Sequence, residues 1–237
     1  MQITLNDVSY SYPGSTQTVL DGVRAVFPVG WTGIIGNNGC GKSTLARIAT
    51  GMLAPDSGTV SPRALVVAYC EQDATIPPDR LEDFACSWEQ TAVRLRLDLG
   101  VDDDWPWRYD TLSSGQQKRL QVAVALWENP DVLVMDEPTN HVDVLTRRAI
   151  LRALAGYRGV GLLISHDREL LDALAGQCLC FEGTRVVMRP GGYTQAREQA
   201  ACDTKTVQRQ RRDVKREAAR IQAEAARRHN EASKSDA

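Results

Sequence analysis

The stretch that most restricts how this chain can fold is Asp131-Val132-Leu133-Val134-Met135-Asp136-Glu137-Pro138. Four apolar residues bounded by polar ones read as a short strand buried on both faces, the pattern of a central strand in a parallel sheet. Ligands in such sheets gather at the carboxyl ends of the strands, and this end carries two adjacent carboxylates. Alternation along the strand points Asp136 and Glu137 in different directions, so that one can face a metal ion and the other a water molecule. A strand ending in two solvated acids would look the same if the segment stood alone.

Upstream, Gly36-Asn37-Asn38-Gly39-Cys40-Gly41-Lys42-Ser43 satisfies the phosphate-loop pattern G-x-x-x-x-G-K-[ST]. The apolar run Trp31 to Ile35 precedes it, and Thr44 to Thr50 follows as a helix stopped by Gly51. Strand, loop and helix are the context that the motif requires. Phosphate oxygens need backbone N–H donors at close range, and glycine lets the backbone curl around them without a Cβ in the way. The helix that follows adds its positive end. Gly36, Asn37, Asn38, Gly39, Cys40, Gly41, Lys42, Ser43 and Thr44 therefore form the expected nucleotide-binding set. Within it Lys42 reaches the β- and γ-phosphates and Ser43 holds Mg²⁺.

Three further segments carry a family resemblance. Leu112-Ser113-Ser114-Gly115-Gln116-Gln117-Lys118-Arg119 resembles the signature motif of ATP-binding cassette (ABC) proteins. Ile164-Ser165-His166-Asp167 resembles their switch-histidine loop, and Tyr69-Cys70-Glu71-Gln72-Asp73 their glutamine loop. Order and spacing agree, and the resemblance covers residues 1–200. The segment Thr139-Asn140-His141-Val142-Asp143, with Ser165 to Arg168 and Gly191-Gly192-Tyr193-Thr194, is similar to the ABC-F branch, which acts on ribosomes and carries no membrane domains. ABC-F proteins continue through a charged helical linker into a second cassette. This chain resembles the first cassette and the start of that linker, as a half-length form or a truncated one.

The resemblance implies an α/β fold: a P-loop NTPase core with a parallel sheet, an antiparallel β subdomain, a helical signature subdomain at about 73–128, and a charged C-terminal helix over 201–237. It implies ATP and Mg²⁺ as ligands, with Asp136, Ser43 and Gln72 at the metal. Glu137 becomes the general base for the attacking water, and His166 its partner at the γ-phosphate; without the resemblance, His166 reads as a surface histidine and Gln72 as a solvated residue. Tyr12 matches the aromatic that stacks on adenine; the alternative for it, as for Tyr10, is to pack a strand face. Ser113, Gly115 and Gln116 would meet the nucleotide of another cassette, and Asp143 would lie at that interface. The signature usually carries two consecutive glycines. Here Ser114 replaces the first, placing a Cβ and hydroxyl where backbone approaches phosphate.

Composition bounds the alternatives. The 237 residues suffice for one substantial domain and a small appendage. No run approaches the roughly 18–20 apolar residues of a membrane helix, and no secretory pattern opens the chain. The six cysteines lack metal-ligand spacing and read as reduced thiols of a cytoplasmic protein. A net charge of −2 hides a split: residues 205–237 hold ten Lys/Arg against five Asp/Glu, leaving the remainder acidic. Val207, Val214 and Ile221 recur every seven residues on that basic segment, a thin stripe that suits packing, a nucleic-acid backbone or merely a solvated helix.

The expected activity is thus ATP hydrolysis completed by a second cassette, as a homodimer or with a missing second half. The implied output is a mechanical switch on the ribosome and its RNA, in translation or in antibiotic resistance by ribosomal protection. The rival is the ATP-binding subunit of a membrane transporter. A binding module without turnover is disfavoured because Glu137 and His166 are both present.

Overall fold

The computed structural model describes residues 1–62, 65–140, 142–183, 185–206, 209, 211–212 and 215–216. The chain divides into two units, Met1–Ala196 and Arg197–Ala237, where the sequence reading placed the boundary at 200. The second unit is helical over 197–206. The stripe of Val207, Val214 and Ile221, and most of the tail, lie outside the described residues.

The first unit contains two sheets. β1 (Gln2–Ser11) pairs antiparallel with both β2 (Thr18–Pro28) and β4 (Ser57–Ser61) in a three-stranded sheet. The second sheet has six strands: β3 (Gly30–Ile35), β5 (Val67–Cys70), β6 (Val132–Asp136), β7 (Val160–Ile164), β8 (Ala175–Glu182) and β9 (Arg185–Pro190). Their order is β5-β6-β7-β3-β8-β9, parallel throughout except for the closing β8–β9 hairpin. The helices that accompany them include α1 (Lys42–Ala49), α2 (Leu81–Cys86), α3 (Gln90–Leu99), α4 (Ser114–Trp127), α5 (Val144–Ala155) and α6 (Arg168–Leu174). A 3₁₀ segment, Trp105–Thr111, leads into α4.

The apolar run of β6 explains the layering. All five of its residues are buried, and strand alternation deals them to two different cores. Leu133 and Met135 join Leu120 and Val124 of α4 and Ile150 of α5. Val132 and Val134 join Leu45 and Ile48 of α1 and Phe27 of the small sheet. A strand sandwiched in this way needs apolar residues at every position, which is why its sequence shows no alternation. Between β7 and α5, the Trp31 ring occupies the space where a side chain at Gly161 would stand, and its Nε1–H donates to Leu154 O at 3.0 Å.

The acidic run Asp102-Asp103-Asp104 forms the entry to the 3₁₀ segment, with Asp104 as its N-cap. Two strands, β4 and β9, escaped the sequence reading. Both are partly exposed and lack alternating apolar residues, so neither carries a strong periodic signal.

Candidate nucleotide site

The phosphate loop runs from the end of β3 to the start of α1. Gly41 precedes the helix at φ +105° and supplies no side-chain cap, which leaves the first-turn N–H groups to be met from outside. A Cβ at Gly41 would come within 2.7 Å of Val19 Cγ1, and one at Gly36 within 2.6 Å of Cys40 Sγ and 2.8 Å of Phe181 Cβ. The curl of the loop therefore depends on both glycines. Lys42, only 8% exposed, donates from Nζ to the carbonyls of Gly36 and Asn37, at 3.0 Å each. Its ammonium is thus held over the loop's own hollow, the position from which it can meet phosphate oxygens.

Asp136 and Glu137 do diverge. The buried Asp136 carboxylate accepts from Ser43 Oγ at 2.7 Å and from the Tyr69 hydroxyl at 3.2 Å through the same oxygen, Oδ2. Glu137 leaves the strand in the left-handed region, φ +48°, an uncommon conformation for a side-chain-bearing residue. That turn aims its carboxylate at the histidine loop. Glu137 Oε2 accepts the His166 backbone N–H at 3.3 Å, and Oε1 lies 3.5 Å from His166 Nε2. The same Nε2 contacts Asn38 Oδ1 at 2.9 Å, joining the histidine to the phosphate loop. Burial pushes the Glu137 pKa above the ordinary carboxylate value, opposed by the His166 N–H and ring.

These groups line one cleft of about 500 Å³, with Asn38, Gly39, Lys42, Ser43, Gln72, Asp136, Glu137, Asn140 and His166 on its walls. A larger hollow of about 940 Å³ shares Ser43, Gln72 and Asp136 and extends along β5 toward Arg80 and Glu128. The smaller cleft holds the convergent charges and is the candidate site. A Mg²⁺ ion fits it. The cation takes one or two protein ligands and completes its shell with phosphate oxygens and water, and here one carboxylate and one hydroxyl stand at hydrogen-bond distance beside the loop. No cluster of three or more His, Cys, Asp or Glu occurs among the described residues.

The remaining candidates lie elsewhere. The Tyr12 hydroxyl hydrogen-bonds with Thr44 Oγ1 at 2.8 Å, and its ring meets Tyr10 edge-on at 5.2 Å while staying 45% exposed. Ser113 caps α4, and Gln116 completes a capping box by accepting the Ser113 N–H at 2.9 Å. Ser113 and Ser114 are exposed, and neither lines the cleft with Lys42 and Glu137. Asp143 caps α5, accepting from the N–H groups of Leu145 and Thr146 and from the Thr146 hydroxyl, which hold its carboxyl below the usual range. His141 lies outside the described residues.

Sequence reasoning missed Tyr69, Asn140 and Arg147. Arg147 of α5 pairs with Asp167 and with Glu169, while Asp167 also accepts from Thr139 Oγ1 at 3.0 Å. The residue after His166 is thereby clamped to the segment that follows Glu137. Tyr69 sat inside the quoted glutamine-loop segment and was detectable there. Nothing in the sequence singled out Arg147.

Fold and site together define a P-loop nucleotide-binding cassette of the ABC type. The family model described as ABC transporter matches residues 25–140. The chain is 35% identical over 209 residues to the ATP-binding protein Uup of Escherichia coli (strain K12), covering 82% of this chain and 33% of that protein. It is 34% identical over 196 residues to the ribosome protection protein VmlR of Bacillus subtilis (strain 168), covering 81% and 33% respectively. A Nitratidesulfovibrio vulgaris protein named for the ABC transporter ATP-binding class is 33% identical over 206 residues, with 76% of this chain and 74% of that protein covered. The chain belongs to the ABC ATPase family, and the ABC-F resemblance read from Thr139 to Asp143 agrees with the first two of these relatives. It spans about a third of the length of the first two.

Proposed function

We propose that this chain binds Mg·ATP and hydrolyses it with Glu137 as general base and His166 as the partner that orients the water. The observation that carries the reading is the Ser43–Asp136 contact at 2.7 Å, which brings the metal-binding hydroxyl and carboxylate together from residues 93 positions apart. Beside it the Glu137–His166–Asn38 chain of contacts links base, histidine and phosphate loop. Mg²⁺, when bound, supplies positive charge against the β- and γ-phosphate oxygens. Lys42 and the free N–H groups of α1 bind the phosphates, and Glu137 takes a proton from water at its carboxylate oxygen.

The signature residues Ser113 and Gly115 serve a second cassette, so that turnover needs a dimer or a second half. Exposure of Ser113 and Ser114 away from this chain's own cleft supports that arrangement. The cellular output is a mechanical switch on the ribosome, in the cytoplasm, with the basic segment beyond 200 meeting ribosomal RNA. The name of the Bacillus subtilis relative and the Thr139 to Asp143 wording favour this output, which includes antibiotic resistance by ribosomal protection. A transporter subunit is the second reading, favoured by the name of the Nitratidesulfovibrio vulgaris relative. No described helix is long and apolar enough to cross a membrane.

Two measurements test this. Equilibrium binding of a non-hydrolysable ATP analogue should be lost in Lys42→Ala and retained in Glu137→Gln. With that analogue, the Glu137→Gln chain should sediment with ribosomes. Sedimentation with membranes instead would transfer the output to transport.

A further inference from the structure

Lys118 is a buried cation that the proposed chemistry does not use. It lies on α4, five residues beyond the signature Ser113, and is only 4% exposed. Its ammonium donates to Glu71 O at 2.7 Å, Gln72 O at 3.1 Å and Gln121 Oε1 at 2.8 Å, so all three donors are used. Two backbone carbonyls and an amide hold it, with no carboxylate among these partners. Removing an ammonium from water is costly even when every donor is met, and burial pushes the Lys118 pKa below the ordinary lysine value. A methionine or glutamine would fill the same face of α4 at lower cost. What the charge adds is strong, directed hydrogen bonding to two consecutive carbonyls.

Those carbonyls belong to the segment that leaves β5 and carries Gln72, which lines the cleft with Ser43, Asp136 and Glu137. A second clamp holds the same segment. Tyr109 donates to Ala74 O at 2.6 Å, and Gln117 of α4 in turn donates to Tyr109 O at 3.2 Å. Neighbouring residues of α4 thus reach the Gln72 segment by two routes, one direct and charged, the other through a phenol.

We propose that Lys118 is a positioning residue for nucleotide sensing: it ties the backbone of Glu71 and Gln72 to the signature helix, and so holds Gln72 at the metal and γ-phosphate end of the cleft. The proposal rests on the nucleotide reading and on the assignment of Gln72 to that end. It makes the discrimination between ATP and ADP depend on a side chain that touches neither.

The test is equilibrium binding of Mg·ADP and of a Mg-bound non-hydrolysable ATP analogue to wild type, Lys118→Met, Gln72→Ala and the double variant. Lys118→Met should lower the preference for the analogue by on the order of tenfold, the weight of one charge-assisted hydrogen bond, and leave ADP affinity unchanged. Gln72→Ala should lower the same preference to a similar extent, and the double variant should be no worse than either, because the two act through one element. Lys118→Arg, which keeps the charge and the donors, should recover part of the preference. If Lys118→Met does not fold, Lys118→Gln, which keeps amide N–H donors but not the charge, takes its place in the comparison. Equal loss of ADP and analogue affinity, or losses that multiply in the double variant, would overturn the proposal. So would a preference insensitive to Gln72→Ala; in that case, loss of binding in Lys42→Ala would leave the nucleotide reading standing.

Discussion

Glu137→Gln should separate turnover from stability in opposite directions. The side chain is 14% exposed and has two weak partners, the His166 N–H at 3.3 Å and the His166 ring at 3.5 Å. An amide keeps the shape and still accepts the N–H, so the substitution removes a charge and little else. Burial raises the folded pKa of Glu137 above the ordinary carboxylate value of 4.5, which means that folding works against the charged form. Below the unfolded pKa the carboxyl is neutral in both states and the penalty is absent. The penalty sets in as pH rises past the unfolded value and is complete above the folded one. At pH 7 the variant should therefore be the more stable protein. With one weak bond retained and one lost, the gain is about 1 kcal/mol at most, or a Tm rise of about 2–4 °C for a domain of this size. At about pH 4 the two Tm values should converge. Turnover should fall by about 10²–10⁴ with the base gone, while analogue binding persists. In the wild type, turnover should fall as pH drops through the raised pKa. Phosphate release, equilibrium binding and thermal melts at both pH values make up the assay. A lower Tm at pH 7, or a loss of affinity matching that of Lys42→Ala, would refute the reasoning.

Tyr69→Phe removes the second donor to Asp136 Oδ2; the Mg²⁺ concentration needed for nucleotide binding should rise about 3–10-fold, binding in EDTA should be unchanged, and a constant Mg²⁺ requirement would exclude a role for the phenol. Trp31→Phe removes the indole donor to Leu154 O, which keeps the Tyr157 N–H, so the lost bond should cost about 1 kcal/mol in urea unfolding; an unshifted midpoint would show that the indole bond adds nothing. Specific activity of the isolated chain should rise with protein concentration, and Glu137→Gln should form an ATP-dependent dimer in sedimentation velocity, weakened by Ser114. A strictly monomeric variant paired with concentration-independent turnover would defeat the composite site for this chain alone.

The parts of the site that the sequence revealed are those whose chemistry is packed into contiguous residues. Gly36 to Ser43 must follow one another because a single loop wraps the phosphates, and Val132 to Met135 must all be apolar because both faces of β6 are covered. Residues that act across the fold left a weaker trace. Arg147 stands on a helix whose sequence reads as an ordinary amphipathic surface, and only folding brings it to Asp167. Lys118 was quoted within the signature, yet its burial against Glu71 and Gln72 has no local sign. Ser113, Gln116 and Asp143 carry a second layer of meaning, since their side chains cap α4 and α5 whatever else they meet. A capping requirement and a binding role select the same residue types, so the sequence pattern does not separate the two.

What the sequence withholds most completely is strand order, and strand order assembles the site. In the series β6-β7-β3, the strand that ends near His166 lies between the one that ends at Asp136 and the one that feeds the phosphate loop. Register places Ile164 level with Asp136 on one side and with Ile34 on the other. Neighbouring strands lie about 4.8 Å apart, so the ends of β6 and β3 are separated by roughly 10 Å, too far for Asp136 to meet β3 itself. The phosphate loop closes that gap by turning back over β7 into α1, which delivers Ser43 to Asp136 at 2.7 Å. His166, rising from β7 beneath the same crossing, is left between Glu137 and Asn38, and it contacts both. With β7 outside β3 or β6, the same residues would form a metal site without a histidine or a histidine without a base. The carboxylates at the end of one apolar strand acquire their roles from the strand beside them.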